Sequence, residues 1–400
     1  MYIYKAGVVG AGLMGAEIAQ VISFSGLPVV LKDVDEGIVE AALARIRDIY
    51  SRRVERGRMD ARTMDEKLSL VEGTTSYDGF ADVDIVIEAV PEKMALKRQV
   101  FAELDAACPQ SAILASNTSA LSISELGAAT RRPDRVVGLH FFFPAHVMKL
   151  VEVIPGLDTS AETVDTAIQF AEGLRKVPVR VNECAGFLVN RLLMPYLNEA
   201  LYCVQEGVPA AEVDAAVKAF GLPMGPFVLA DALGLDVCWD VAQTLYDEYG
   251  ERMRPAELLA KLIAAGRLGE KTGKGIYTYG GEKDEELPAL IGEVQKETGR
   301  AGGDFSVDRL LLPLINEAAI CLQEHVAGVR DIDVAMMAGA GLPVGPLAMA
   351  DKRGLDEVLA ALESLRARHG ERFRPAPLLK RKVRAGHLGV KSGRGFAEYS

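Results

Sequence analysis

The second half of this chain is written twice. NEALYCVQEG (198–207) returns as NEAAICLQEH (316–325), and GLPMGPFVLADALGLD (221–236) returns as GLPVGPLAMADKRGLD (341–356). ERMRPAELLAKLIAAGRLGEKTGKG (251–275) returns as ERFRPAPLLKRKVRAGHLGVKSGRG (371–395). The spacing, about 120 residues, lies far beyond the roughly 20–50 residues of a stacked solenoid repeat, so it marks duplicated domains. From Ala185 onward the pattern is helical only. Two homologous all-α domains are therefore expected, over 183–282 and 303–400. Between them GGEKDEELPALIGEVQKETGRAGG (280–303) is charged and bounded by glycines. It reads as a linker over 283–302 with room for one short helix.

The first 182 residues have another character. Apolar runs at AGVVG (6–10), PVVLKD (28–33), VDIVIEAV (83–90), AILASN (112–117), RVVGLH (135–140) and KLVEVI (149–154) read as strands. Helical segments lie between most of them. Such alternation predicts an α/β Rossmann domain, a doubly wound and mostly parallel sheet. Residues 36–70 are helix-forming and highly charged, and are expected to project from the sheet as a helical hairpin after the second strand.

Within GVVGAGLMGAEIA (7–19) stands Gly10-x-Gly12-x-x-Gly15, between a strand and a helix, the context in which this motif binds a dinucleotide. Gly10 permits the tight turn, Gly12 the approach of a pyrophosphate to the backbone, and Gly15 close packing of helix on strand. The phosphates then rest on the helix N-terminus. Asp33 closes the second strand, where a carboxylate accepts hydrogen bonds from the adenosine ribose and repels a 2′-phosphate. That favours NAD over NADP, with Lys32 beside it pulling the other way. The plain alternative is three glycines that serve packing alone.

GLHFFFPAHVMKLVEV (138–153) places His140 at the end of a strand, at the carboxyl edge where such sheets bind ligands. Oxidation of an alcohol needs a base for the hydroxyl proton, and histidine titrates near neutrality. Glu152 would orient the ring if KLVEVI runs back alongside the histidine strand. Spacing alone favours a core histidine over a catalytic one. SNTSALSISEL (116–126) follows another strand and offers hydroxyls, Ser119 among them, either for a substrate oxygen or for a helix cap, a role open to Ser122 and Ser124. In NECAGFLVNRLLMPYLNEA (182–200), Asn190 and Arg191 interrupt an apolar helix, and a buried polar group there must find a partner.

Charge and composition exclude several partners. A formal net charge of −11 argues against nucleic acid as the main partner. The five cysteines are scattered without a CxxC, so neither a zinc site, or any other metal, nor a disulfide framework is indicated. No apolar run is long enough to cross a bilayer, and an apolar strand begins by Gly7, so a cytoplasmic chain without a leader peptide is expected.

Taken together, GAGLMG, SNTSAL, GLHFFFPAHVMKLVEV and AGFLVNRLLMPYLNEA resemble, in the same order, the L-3-hydroxyacyl-CoA dehydrogenases of fatty-acid β-oxidation. The resemblance runs over essentially the whole chain. It implies oxidation of 3-hydroxyacyl-CoA to 3-oxoacyl-CoA with NAD, or the reverse. It casts His140 as base, Glu152 as its partner, and Ser119 and Asn190 as the groups that hydrogen-bond the substrate oxygen. It implies cofactor contacts at Gly10, Gly12, Met14, Gly15, Asp33, Val90, Pro91, Glu92, Lys97, Ser119 and Lys271. The helical hairpin resembles the part that embraces coenzyme A, with Arg52, Arg53 and Arg56 as candidates for its phosphates, or as an ordinary solvated face. A related dehydrogenase acting on a non-CoA hydroxy acid or sugar acid is the alternative, and a non-catalytic NAD binder a third reading.

Two departures stand out. Phe143 occupies a position where the family commonly has asparagine, near the nicotinamide, which puts one cofactor hydrogen bond in doubt. The chain also has two helical copies and resembles the dehydrogenase half of the multifunctional β-oxidation proteins. Asp308 takes the place of Asn190 in the second copy, so one active site per chain is expected. The second copy would cover the first as a dimer partner does, leaving the protein a monomer or a homodimer.

Overall fold

The computed structural model describes residues 1–281, 284–303 and 305–399. The chain forms two compact units, Met1–Phe187 and the part from Leu188 onward.

Among the described residues of the first unit, eight strands make one sheet. They are β1 (Ala6–Val9), β2 (Val29–Lys32), β3 (Val71–Thr74), β4 (Ile85–Glu88), β5 (Ile113–Ser116), β6 (Val136–Phe141), β7 (Leu150–Pro155) and β8 (Val177–Arg180). The order is β3-β2-β1-β4-β5-β6-β7-β8, and only β6–β7 is antiparallel. The order reverses between β1 and β4, the switch point at which doubly wound sheets bind nucleotides. β1, β2, β4 and β5 are buried at every position, as strands covered on both faces must be.

Two strands and one packing relation differ from the sequence reading. β3 (VEGT) and β8 (VPVR) are short, half-exposed edge strands without an apolar run. The stretch 36–70 is not a free projection. Helix α1 (Leu13–Ser25) lies upstream of it, and the stretch itself forms α2 (Glu36–Glu55) and α3 (Ala61–Leu68). α2 buries Val39, Ala42, Ile46 and Tyr50, one face of a 3.6-residue period, and packs on α1. The Tyr50 hydroxyl lies 2.8 Å from Ser23 Oγ and donates to the Gln20 carbonyl at 3.1 Å. Each large apolar side chain gains roughly 1.5–3 kcal/mol on burial, which outweighs the solvation of a charged hairpin left standing free.

Three further helices, α4 (Met94–Ala107), α5 (Ile123–Gly127) and α6 (Ala161–Gly173), complete the unit. Ser122 caps α5 by accepting from Glu125 N, and both Ser122 and Ser124 donate to the Glu183 carboxylate.

The second unit is helical. α7 (Val189–Gln205), α8 (Ala210–Phe220), α9 (Pro226–Leu233), α10 (Leu235–Tyr249) and α11 (Glu257–Ala264) form the first copy. After α12 (Glu286–Thr298) come α13 (Val307–Gln323), α14 (Val329–Ala340), α15 (Pro346–Arg353), α16 (Leu355–His369) and α17 (Pro377–Arg384) in the same succession. α7 and α13 pack on each other and exchange buried charges. Arg191 Nε donates to Glu317 at 2.8 Å and its Nη2 to Glu324 at 2.6 Å. Reciprocally, Arg309 Nε donates to Glu199 at 2.7 Å and its Nη2 stands 2.7 Å from Glu206. Each arginine is 1 % exposed.

Candidate active site

Parallel register aligns Lys32, Val9, Glu88, Ser116 and Gly138 in one row across β2, β1, β4, β5 and β6. The loops beyond this row therefore leave the sheet at one edge, and they carry Asp33, Gly10, Ala89–Glu92 and Asn117–Ser119. His140 lies in β6, two residues past Gly138, on the same side of its strand.

The glycine loop is constrained by backbone on two sides and open on the third. Gly10 has φ +100°, and a Cβ there would stand 2.6 Å from the Ala89 carbonyl. A Cβ on Gly15 would stand 1.7 Å from Gly10 O, whereas one on Gly12 would meet nothing within 4 Å. No side chain caps the N-terminus of α1. Open space, bare amides and the positive helix end together fit a pyrophosphate. The Asp33 carboxylate accepts from Ala11 N and Val34 N, each at 2.7 Å, which holds it beside the loop where a ribose would lie. Lys32 is buried, its ammonium 4.3 Å from the centre of the Tyr77 ring, so it does not neutralise Asp33. Met14 is half-buried and packs on the core.

A buried polar cluster shapes the next loops. Glu88, fully buried, accepts from Val90 N at 2.7 Å, Lys97 Nζ at 2.8 Å and Ser116 Oγ at 2.6 Å. Lys97, 1 % exposed, also donates to the Val90 carbonyl at 3.1 Å and reaches Glu92 at 3.2 Å. Glu92 in turn accepts from Thr118 Oγ1 at 2.5 Å and Ser119 N at 2.8 Å. A desolvated ammonium and carboxylate are stable only as such a paired set. Lys97 thus ties together the segments that carry Val90, Pro91, Glu92 and Ser119.

His140 and Glu152 stand directly opposite each other across the antiparallel β6–β7 pair. His140 Nδ1 lies 2.7 Å from Glu152 Oε2, with the carboxylate fully buried and the histidine 4 % exposed. A carboxylate at Nδ1 places the proton there and leaves Nε2 as the basic nitrogen. The rings of Phe142 and Phe187 wall the imidazole, at centroid distances of 4.4 Å and 5.9 Å.

The loop after β6 is held by Asn117, from the SNTSALSISEL stretch, and by Glu17 and Lys176, which the sequence reading did not single out. Asn117 Oδ1 accepts from Phe141 N at 2.8 Å. Glu17, buried in α1, accepts from Ala145 N at 2.6 Å and lies 3.1 Å from His146 Nδ1. Lys176 donates to the carbonyls of Ala145 and Met148, at 2.5 Å and 2.7 Å, and burial pushes its ammonium down to about 8 against the pull of Glu17. A glutamate inside the apolar run AEIAQVI was the available signal. Phe143 is 51 % exposed on this loop and carries no hydrogen-bonding side chain.

The remaining candidates lie elsewhere. Arg52 pairs with Asp48 at 2.8 Å on the exposed face of α2, Arg53 stacks 4.5 Å from the Phe24 ring centre, and Arg56 is exposed past the helix end. Asn190 and Lys271 belong to the second unit. Asn190 sits in the first turn of α7, and Lys271 Nζ lies 2.5 Å from both oxygens of Asp236. The second copy repeats that pair as Lys391–Asp356 at 2.6 Å, so it belongs to the architecture of each copy.

A switch-point glycine loop and a buried histidine–carboxylate pair on the same sheet fit a nicotinamide-linked oxidoreductase. The chain belongs to the 3-hydroxyacyl-CoA dehydrogenase family. The family's NAD binding domain matches residues 5–184, and its C-terminal domain matches twice, over 186–279 and 305–399. The solved 3-hydroxybutyryl-CoA dehydrogenase of Escherichia coli is 31% identical, over 96% of this chain and 99% of its own, with a TM-score of 0.88. The (S)-3-hydroxybutyryl-CoA dehydrogenase PaaH1 of Ralstonia eutropha is 40% identical over 70% of this chain and 99% of its own, with a TM-score of 0.68. FadB2 of Mycobacterium tuberculosis is 40% identical over 70% of this chain and 100% of its own, also with a TM-score of 0.68. The cofactor is NAD, and the protein is an NAD-dependent dehydrogenase. Among the described residues no helix is long and apolar enough to cross a membrane.

Proposed function

We propose that the protein interconverts L-3-hydroxyacyl-CoA and 3-oxoacyl-CoA, in fatty-acid β-oxidation or in the reverse, 3-hydroxybutyryl-CoA-forming step, as a cytoplasmic enzyme. The buried His140–Glu152 pair at the carboxyl edge of an NAD-binding sheet carries this reading. NAD, held by the Gly10–Gly15 loop and Asp33, would supply the acceptor for the hydride on C3. His140 Nε2 takes the proton of the C3 hydroxyl, and Glu152 stabilises the imidazolium that results. Ser119 and Asn190 donate to the C3 oxygen as it becomes a ketone, a contribution that grows with its partial negative charge. Glu92 and Lys97 hold the Ser119 loop in place. Asp33 and the Gly10–Gly15 loop secure the dinucleotide, and Arg52, Arg53 and Arg56 supply charge for the coenzyme A phosphates.

His140→Ala is expected to lower turnover of acetoacetyl-CoA with NADH by about 10²–10⁴-fold, with NADH binding by fluorescence titration unchanged. Near-normal turnover rejects the role of His140. Free acetoacetate turned over as well as its CoA ester would favour a non-CoA hydroxy acid as the substrate.

A further inference from the structure

The duplication offers two equivalent helices for comparison. α11 packs on α10 and α7, and α17 packs on α16 and α13 in the same succession. α11 has a further neighbour, since α12 lies on both α11 and α7. Among the described residues no helix takes that place on α17. The difference shows in the exposure of the two helices and of the turn after each. Leu258, Leu262 and Arg267 are buried and Lys261 is half-buried, whereas Leu378, Lys382 and His387 are half-buried and Arg381 is exposed.

α12 shows what such a place selects. Its Leu287, Leu290, Ile291 and Val294 recur at helical spacing, with Val294 fully buried. Asp284, Glu285, Glu286, Glu293 and Glu297 surround that stripe, against the single cation Lys296. Glu293 and Glu297 reach Lys261 at 3.2 Å and 2.9 Å, and Arg267 Nη1 donates to Asp284 and Glu286, each at 3.1 Å. The second copy keeps this basic character and adds to it. Lys261, Leu262, Ala264 and Arg267 become Arg381, Lys382, Arg384 and His387. Arg381 and Arg384 have no acidic partner among the described residues, and Lys382 Nζ donates to the Gly395 carbonyl at 2.6 Å. A helix C-terminus favours a cation by about 0.3–1 kcal/mol, yet α11 ends with Lys261 alone where α17 ends with Arg381, Lys382 and Arg384. In a chain of net charge −11 such an unneutralised strip is a local exception.

We propose that this face of α17 seats an acidic amphipathic helix of a partner protein, laid on it as α12 is laid on α11. The seat dictates the occupant. Carboxylates answer Arg381, Arg384 and His387, and an apolar stripe covers Leu378 and the stem of Lys382. An anionic membrane fits less well, because the apolar side of α17, with Leu379 buried, is already packed within its copy and leaves little to enter lipid.

The probe is a fluorescein-labelled peptide of residues 284–299, the sequence of α12 itself. Its anisotropy with the full chain should show saturable binding that weakens as salt rises, because exposed ion pairs are screened. Arg381→Glu with Arg384→Glu reverses two exposed charges. That variant should weaken binding by about tenfold or more, with the thermal melt and acetoacetyl-CoA turnover unchanged. Arg330→Glu with Lys352→Glu makes the same change of net charge at other exposed positions of the second copy and should leave binding as it was. Absence of saturable binding, equal binding of a scrambled peptide, or undiminished binding by the Arg381→Glu, Arg384→Glu variant would each overturn the assignment. Binding to phosphatidylserine vesicles without binding of the peptide would give the face to a membrane. Self-association in sedimentation that the same variant abolishes would give it to a second copy. Either result overturns the assignment as well.

Discussion

Glu152 is a carboxylate with no solvent exposure, a state tolerated only when the charge is paired and hydrogen-bonded. Glu152→Gln keeps the volume and a hydrogen-bonding oxygen but removes the charge that steadies an imidazolium. We expect kcat to fall by about 10²–10⁴ with little change in melting temperature, and steady-state kinetics beside a thermal melt separate the two. An undiminished kcat would make the pair structural. The pair was legible because two strands with a two-residue period could run antiparallel, and because the motif around it is specific. Glu17 and Glu88 were not, because a buried charge lives by its partners, and Ala145 is far from Glu17 in sequence. The cysteines give a pH-dependent prediction. Burial pushes the Cys108 thiol up to about 11 and those of Cys203 and Cys238 up to about 12. The thiolate is the reactive form, so at about pH 8 all three should resist iodoacetamide in the folded protein and react after denaturation. Peptide mass spectrometry reads the difference, and labelling of any of the three before unfolding would contradict it.

At the level of elements, long apolar strands and the sheet-to-helix change of character were readable, and the weak edges were not. β3 and β8 are held by a neighbour's backbone rather than by side chains of their own, so no hydrophobic period marks them. The docking of α2 on α1 was masked by charge, since one buried stripe among many ionic residues barely shifts the composition. The duplication also separates architecture from chemistry. Asp231 accepts from Ile276 N at 2.8 Å, Tyr277 N at 2.9 Å and the Tyr279 hydroxyl at 3.0 Å. Asp351 accepts from Phe396 N at 2.8 Å, Ala397 N at 2.9 Å and the Tyr399 hydroxyl at 2.9 Å. Each closes its copy by pinning the final turn to a helix, a role blind to catalysis. Asp231→Ala and Asp351→Ala should therefore each cost about 2–4 kcal/mol in urea unfolding, since three donors lose their acceptor. The Asp351 variant should keep full turnover per folded molecule. A catalytic loss there without unfolding would place the second copy in the active site.

At the scale of the whole second unit, the ion pairs between α7 and α13 are reciprocal: Arg191 to Glu317 and Glu324, Arg309 to Glu199 and Glu206. Arg372 adds to Glu199 at 2.6 Å as Arg252 adds to Glu317 at 3.4 Å. Residue i of one copy meets residue j of the other and j meets i, the pattern of a two-fold homodimer contact drawn within one chain. The covalent link then serves concentration more than geometry, because the contact would form between separate pieces. A protease site inserted after Gly281 should give a cleaved protein that sediments as one particle of the uncut mass and keeps its turnover. Removing one partner of a buried pair strands the other charge at a cost of about 3–5 kcal/mol. Glu199→Gln and Glu206→Gln combined with Glu317→Gln and Glu324→Gln strands both arginines, so that variant should separate into two fragments on cleavage at micromolar concentration while the uncut chain stays whole. Separation of the cleaved wild type without denaturant would show that the linker, rather than the exchanged charges and the apolar seam between α7 and α13, holds the copies together.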